Sequence, residues 1–151
     1  GIRFPTQTEL VMRILFVEDD AMNRRVVGEM LKAARIEMFE AEDAIRGLEM
    51  IEQDNYDLVL MDLRMPGMDG LEAIRRIRSR QDEKRYIPII VVTADTAMDL
   101  RGECLDNGAD EFMIKPVEIR ALFETIAFTI AKHKKARQAA LEAEKNKAAF
   151  G

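Results

Sequence analysis

The run Tyr56-Asp57-Leu58-Val59-Leu60-Met61-Asp62, followed at once by Leu63-Arg64-Met65-Pro66-Gly67-Met68-Asp69-Gly70, decides how this chain folds. Apolar residues without polar alternation mark a strand covered on both faces, and the Pro-Gly turn behind them ends that strand abruptly. Asp62 therefore stands at the carboxyl end of a buried strand. A second apolar run, Ile14-Leu15-Phe16-Val17, ends in Glu18-Asp19-Asp20. In a parallel sheet both strand ends open onto one edge, where α/β folds bind ligands, so these acids are expected to converge.

Working outward, a third strong apolar run covers residues 89–92, and weaker ones cover 36–41 and 111–114. Between them lie apolar residues at helical spacing: Val27, Met30, Leu31 and Ala34; then Ala44, Leu48 and Ile51; then Leu71, Ile74 and Ile77. Asp69 or Gly70 is a start signal for the third helix and Gly108 a stop for the fourth. Strict alternation of strand and helix predicts an α/β fold with five parallel strands joined by right-handed crossovers. The three strongest strands are expected to be central.

After Lys115-Pro116 the pattern stays helical. Ile119, Leu122, Phe123, Ile126 and Ile130 share one face, and no Gly or Pro intervenes before Gly151. A continuous helix there would run about 50 Å at 1.5 Å per residue, longer than a domain of this size can cover. Beyond Ile130 the apolar stripe thins to Ala136, Ala139, Ala140, Leu141 and Ala143 among lysines, arginines and glutamates. That segment reads equally as a weak dimerising helix or as a solvated tail.

The chain has 151 residues, 48% of them hydrophobic and 34% charged, which suits a single core. A net charge of -5 argues against direct nucleic-acid binding, which needs clustered excess Lys and Arg. The one cysteine, Cys104, cannot form an internal disulfide, and no segment nears the ~20 apolar residues that span a bilayer. A cytoplasmic location and no membrane association are expected. Residues 1–11 lack the features of a signal peptide. Because Met12-Arg13 directly precedes the first strand, residues 1–11 are read as an added leader.

The chemistry follows from the acids. Carboxylates held together repel, and a hard divalent cation such as Mg²⁺ relieves the repulsion through oxygen ligands while keeping positions open for phosphate. Glu18, Asp19 and Asp62 offer that nest. Asp62, the lone acid at its strand end, is the candidate nucleophile for an aspartyl phosphate. Singly, each acid reads as well as a helix cap. The constellation carries more: the fourth strand ends Val92-Thr93-Ala94 and the fifth Ile114-Lys115-Pro116, bringing a hydroxyl and an ammonium to the same edge. A transferred phosphoryl group, with its spread negative charge, requires such partners.

These elements resemble the receiver domain of two-component response regulators. The resemblance rests on Phe16-Val17-Glu18-Asp19-Asp20, Met61-Asp62, the loop 65–70, Val92-Thr93-Ala94 and Lys115-Pro116. They are separated by 43 residues from Asp19 to Asp62, 31 to Thr93 and 22 to Lys115. It covers residues 12–132, leaving 133–151 as an extension of the last helix. It implies a doubly wound, flavodoxin-like sheet of order 2-1-3-4-5. It further implies that Asp62 accepts phosphate from a phosphohistidine, Asp19 ligates Mg²⁺, Glu18 holds a metal-bound water and the Arg64 carbonyl is another ligand. Lys115 would pair with the phosphoryl oxygens, Thr93 would swing toward them, and Phe112 stands at the family's switch aromatic. The switched surface would comprise the fourth helix, fifth strand and fifth helix. Glu18 departs from the commoner Asp. Arg64 and Asp95, two beyond Asp62 and Thr93, carry charges able to pair across the site.

The implied partner is a sensor histidine kinase or a histidine phosphotransfer protein, with a homodimer through the last helix as a further possibility. Asn23-Arg24, and Met98, Arg101 and Cys104 on the fourth helix, look similar to receivers of hybrid histidine kinases and phosphorelays, so a stand-alone receiver competes with one excised from a larger kinase. The chain would be no enzyme beyond catalysing its own phosphorylation and dephosphorylation. A haloacid-dehalogenase-type phosphatase also uses a strand-end Asp, but needs a second Asp where Arg64 stands. A degenerate receiver acting as a dimerisation scaffold is countered by the complete Asp62, Thr93 and Lys115 set. Cys104 reads as a packing residue, and His133 as a solvated helix residue. The basic run Arg75, Arg76, Arg78, Arg80, Lys84 and Arg85 reads as a solvated face and loop.

Overall fold

The computed structural model describes residues 11–150, so the leader expectation falls almost entirely outside the described residues. Five parallel strands form one sheet: β1 (Arg13–Val17), β2 (Glu37–Ala41), β3 (Leu58–Met61), β4 (Ile89–Thr93) and β5 (Glu111–Ile114), in the order β2-β1-β3-β4-β5. Helices α1 (Ala21–Ala33), α2 (Ala44–Gln53), α3 (Gly70–Arg78) and α4 (Leu100–Asp106) connect them, with a 3-10 turn at Glu83–Tyr86 ahead of β4. The three unalternated strands are central, as expected of strands buried on both faces. Met98 lies in a turn before α4 rather than on the helix, because that helix is only seven residues long.

Strand geometry sends alternate residues to opposite faces. Leu15, Val17, Val59, Met61, Ile89 and Val91 join one apolar cluster with Ala44 and Ile51 of α2, Ala73, Ile74 and Ile77 of α3, and Leu100 and Cys104 of α4. Their neighbours Ile14, Phe16, Leu58, Leu60, Ile90 and Val92 are equally buried on the other face. Helix starts are set by acids that satisfy orphan amides: Asp20 accepts from Met22 and Asn23, Asp43 from Arg46, and Asp69 from Glu72. After α4 the chain turns through Gly108 at φ +113°, a left-handed conformation that favours glycine.

Two basic residues are structural rather than solvated. Arg78 donates to the carbonyls of Gly108, Arg85 and Ile87 and to Asp110 Oδ2, whose same oxygen accepts from the Ile89 amide. Lys84 Nζ donates to the carbonyls of Ile51, Glu52 and Asp54 at the end of α2, a favourable place for a cation. Each long side chain closes a set of carbonyls that would otherwise lack donors.

The chain divides into two compact units, the sheet unit ending at Val117 and a helical unit beginning at Glu118. The helical unit is α5 (Ile119–Phe150), 32 residues and about 48 Å long at the standard rise. Leu122, Ile126 and Thr129 are its buried residues, and from Gln138 onward every described residue is exposed. Among the described residues no helix is long and apolar enough to cross a membrane.

Candidate functional site

Strand register brings the chemistry to one rim. Val17 pairs with Met61, Met61 with Val91, and Thr93 with Ile114, so Glu18, Asp62 and Lys115 each stand one step past a paired residue. The main chain continues the ladder there: Asp62 donates to the Val17 carbonyl at 3.0 Å and Lys115 to the Thr93 carbonyl at 2.8 Å. Glu18, Asp62 and Thr93 are the buried polar residues of this rim, at 0%, 3% and 0% exposure. Buried polar side chains of this kind need partners or a function.

Glu18, Asp19 and Asp62 offer carboxylate oxygens that all lie within 4.8 Å of one another. Lys115 Nζ spans two of these acids, 2.5 Å from Glu18 Oε1 and 3.6 Å from Asp62 Oδ1. The ammonium thus favours Glu18. Asn23 donates to that same oxygen at 3.0 Å, while Glu18 Oε2 is buried without a hydrogen-bond partner. An orphaned carboxylate oxygen beside two further carboxylates fits a hard divalent cation, so the donor set suits the implied metal.

The electrostatics agree with crowding. Burial pushes the Asp62 carboxyl up to about 7, helped by the Glu18 carboxylate beside it and opposed by Lys115 and the Arg64 backbone amide. Burial also resists ionisation of Glu18, but the Lys115 ammonium and the Asn23 amide bonded to it outweigh that cost, so Glu18 lies below its ordinary value. Two carboxyls this close oppose each other's ionisation, so the pair splits, with Glu18 held low and Asp62 held high. A divalent cation held by these carboxylates would favour their ionised forms.

Arg64 and Asp95 form an ion pair joining the loop after β3 to the loop after β4, as their charges suggested. Thr93 Oγ1 accepts from the Asp95 amide at 3.2 Å, so its hydroxyl is engaged within its own loop. Phe112 lies on β5 opposite Val91, partly buried against the apolar cluster. Gly70 permits the site's closest backbone approach, since a Cβ there would overlap the Asp62 carbonyl oxygen and lie 2.9 Å from Leu63 Cα. Cys104 is fully buried, and burial pushes its thiol up to about 11, consistent with packing. His133 lies on α5, partly buried.

Two residues at the site carry contacts that sequence reasoning did not assign. Asn23 holds the Glu18 side chain, and Arg24 donates to the Glu18 carbonyl at 2.8 Å. The available signal was their place in the first turn of a helix capped by Asp20, five and six residues beyond Glu18.

The description "response regulator receiver domain" fits residues 14–127. Hybrid signal transduction histidine kinase F of Dictyostelium discoideum is 37% identical over 117 residues, covering 76% of this chain and 11% of that protein. Sensory/regulatory protein RpfC of Xanthomonas campestris pv. campestris is 34% identical over 117 residues, covering 77% of this chain and 16% of its own length. The chain thus spans well under a fifth of either relative. Among solved structures, the receiver domain of sensor histidine kinase PA1611 from Pseudomonas aeruginosa PAO1, crystallised with a magnesium ion in its active site cleft, superposes with a TM-score of 0.74. It is 32% identical and covers 80% of this chain and 98% of that one. With its order 2-1-3-4-5 sheet and its acid-lined rim, the chain belongs to the response regulator receiver domain family of two-component signalling.

Proposed function

We propose that Asp62 is the phosphoacceptor, taking a phosphoryl group from a phosphohistidine on a sensor histidine kinase or histidine phosphotransfer protein. An Asp62 carboxylate oxygen attacks phosphorus while the P–N bond to the imidazole breaks; the ring nitrogen leaves with the bonding pair and takes up a proton. Asp19, Asp62 and the Arg64 carbonyl would hold Mg²⁺, with Glu18 on a metal-bound water. When bound, that cation supplies positive charge against the carboxylates and the phosphoryl oxygens. Lys115 turns from Glu18 to the transferred group, and Thr93 exchanges the Asp95 amide for a phosphoryl oxygen. Phe112 follows, altering the surface of α4, β5 and α5. The observation that supports this reading above others is the buried, partnerless Glu18 Oε2 beside Asp19 and Asp62.

The chain turns over no external substrate. A dehalogenase-type phosphatase lacks its general acid here, because Arg64 occupies that place and is tied to Asp95. Residues 12–132 act as the receiver in the cytoplasm, without direct contact to nucleic acid or membrane, and the remainder of α5 serves as a linker or dimerising helix. The Dictyostelium relative is a hybrid histidine kinase and PA1611 a sensor histidine kinase, which favours a receiver working within or beside such a kinase.

Incubation with acetyl phosphate and Mg²⁺ tests the central step by intact mass. A gain of one phosphoryl group is expected in the wild type and none in Asp62→Asn. An adduct that survives the substitution, or needs no divalent cation, would overturn the assignment.

A further inference from the structure

Glu18 enters the acid cleft with one methylene more than an aspartate would have, and a longer arm has more ways to point. Its carboxylate is nevertheless held asymmetrically: Oε1 takes donors from Asn23 at 3.0 Å and Lys115 at 2.5 Å, whereas Oε2 takes none. Asn23 is itself fixed. Its backbone amide donates to the Asp20 cap at 3.2 Å, and its neighbour Arg24 bonds the Glu18 carbonyl at 2.8 Å while bridging to Glu40 at 3.2 Å. The first turn of α1 thus grips Glu18 by its main chain through Arg24 and by its side chain through Asn23.

The geometry assigns Asn23 as a positioning residue for the cleft: by holding Oε1 of Glu18, its amide fixes that carboxylate with Oε2 left unpartnered, and so presents a divalent cation with a preset trio of carboxylates. This rests on the metal-binding reading given above. Lys115 cannot hold that position alone, because its ammonium is shared with Asp62 at 3.6 Å and is drawn to the phosphoryl group in the proposed transfer. Asn23 carries no charge to be drawn away, so it keeps Glu18 oriented throughout. Outer hydrogen bonds that orient a ligand commonly carry much of a site's affinity for its metal.

A double-mutant cycle in the full chain tests this, with Mg²⁺ titrations followed by amide chemical shifts for the wild type, Asn23→Leu, Glu18→Asp and the double variant. Leucine keeps the branched shape of asparagine without the donor, and the shorter side chain of Glu18→Asp falls short of Asn23. We expect Asn23→Leu to weaken Mg²⁺ binding about tenfold in the wild-type background and by less than about twofold in the Glu18→Asp background. Thermal unfolding in a chelator checks that each variant is folded. Unchanged affinity in Asn23→Leu, or an equal loss in both backgrounds, would overturn the assignment while leaving the metal site standing. A wild type that binds no Mg²⁺ would overturn both.

Discussion

Asp62 is costly to bury ionised, and that cost has a direction in pH. Its folded value, about 7, lies above the ordinary carboxyl value of 3.8, so between these two the folded chain binds more protons than the unfolded one. Stability contributed by the protonated form is complete below pH 4 and is lost as pH rises through 7. Glu18, held low, acts oppositely near its ordinary value and leaves the window above pH 5 to Asp62. Without divalent cations, urea unfolding at pH 5 and pH 8 should show the wild type losing about 2–4 kcal/mol relative to Asp62→Asn. Parallel curves for the two proteins would mean that Asp62 ionises freely. Asp62 stood out in the sequence because neighbouring strands end in an acidic cluster, a hydroxyl and an ammonium at the same edge. Asn23 did not, because its partner is chosen by the path of α1 across the strand end.

At the level of elements, α3 is fixed at both ends. Its first residue abuts the Asp62 carbonyl, and its last turn reaches the segment between α4 and β5 through Arg75 to Asn107 at 3.0 Å and Arg78 to Gly108 at 2.9 Å. Gly70→Ala should therefore cost about 1–3 kcal/mol by overpacking and also lower the yield of phosphorylated Asp62, because the loop must yield to the new methyl. Denaturant midpoints and adduct yield check the two effects; an alanine variant with wild-type values in both would show that the loop has slack. The start of α3 was legible from Asp69-Gly70, and the core strands from their unbroken apolar runs. The clasp by Arg78 and Lys84 was not, since charged residues in a basic run look solvated until the carbonyls they close are brought together.

For the whole molecule, a cation held in the acid cleft would couple to folding. Mg²⁺ at ten to a hundred times its dissociation constant should raise stability by about 1.4–2.7 kcal/mol, and by less at pH 5 than at pH 8, because protons on Asp62 compete for the same oxygens. Melting curves with and without Mg²⁺ at both pH values measure this; equal gains would place the ion elsewhere. The length of α5 was readable because neither Gly nor Pro interrupts it, but its exposed half carries no periodicity strong enough to name an occupant. Light scattering across a concentration series decides between dimer and tail. Association that disappears on truncation after residue 132 is the expected mark of a dimerising helix, and a mass of one chain at every concentration marks a tail.

The anchoring of α3 also limits how the protein can diversify. A lineage acquiring new associates cannot recruit the first residue of that helix, where only hydrogen fits, nor readily its arginines at 75 and 78, which are already engaged. Innovation in recognition is thereby channelled to surfaces that bear no such obligations, and descendants of this chain should differ least along α3.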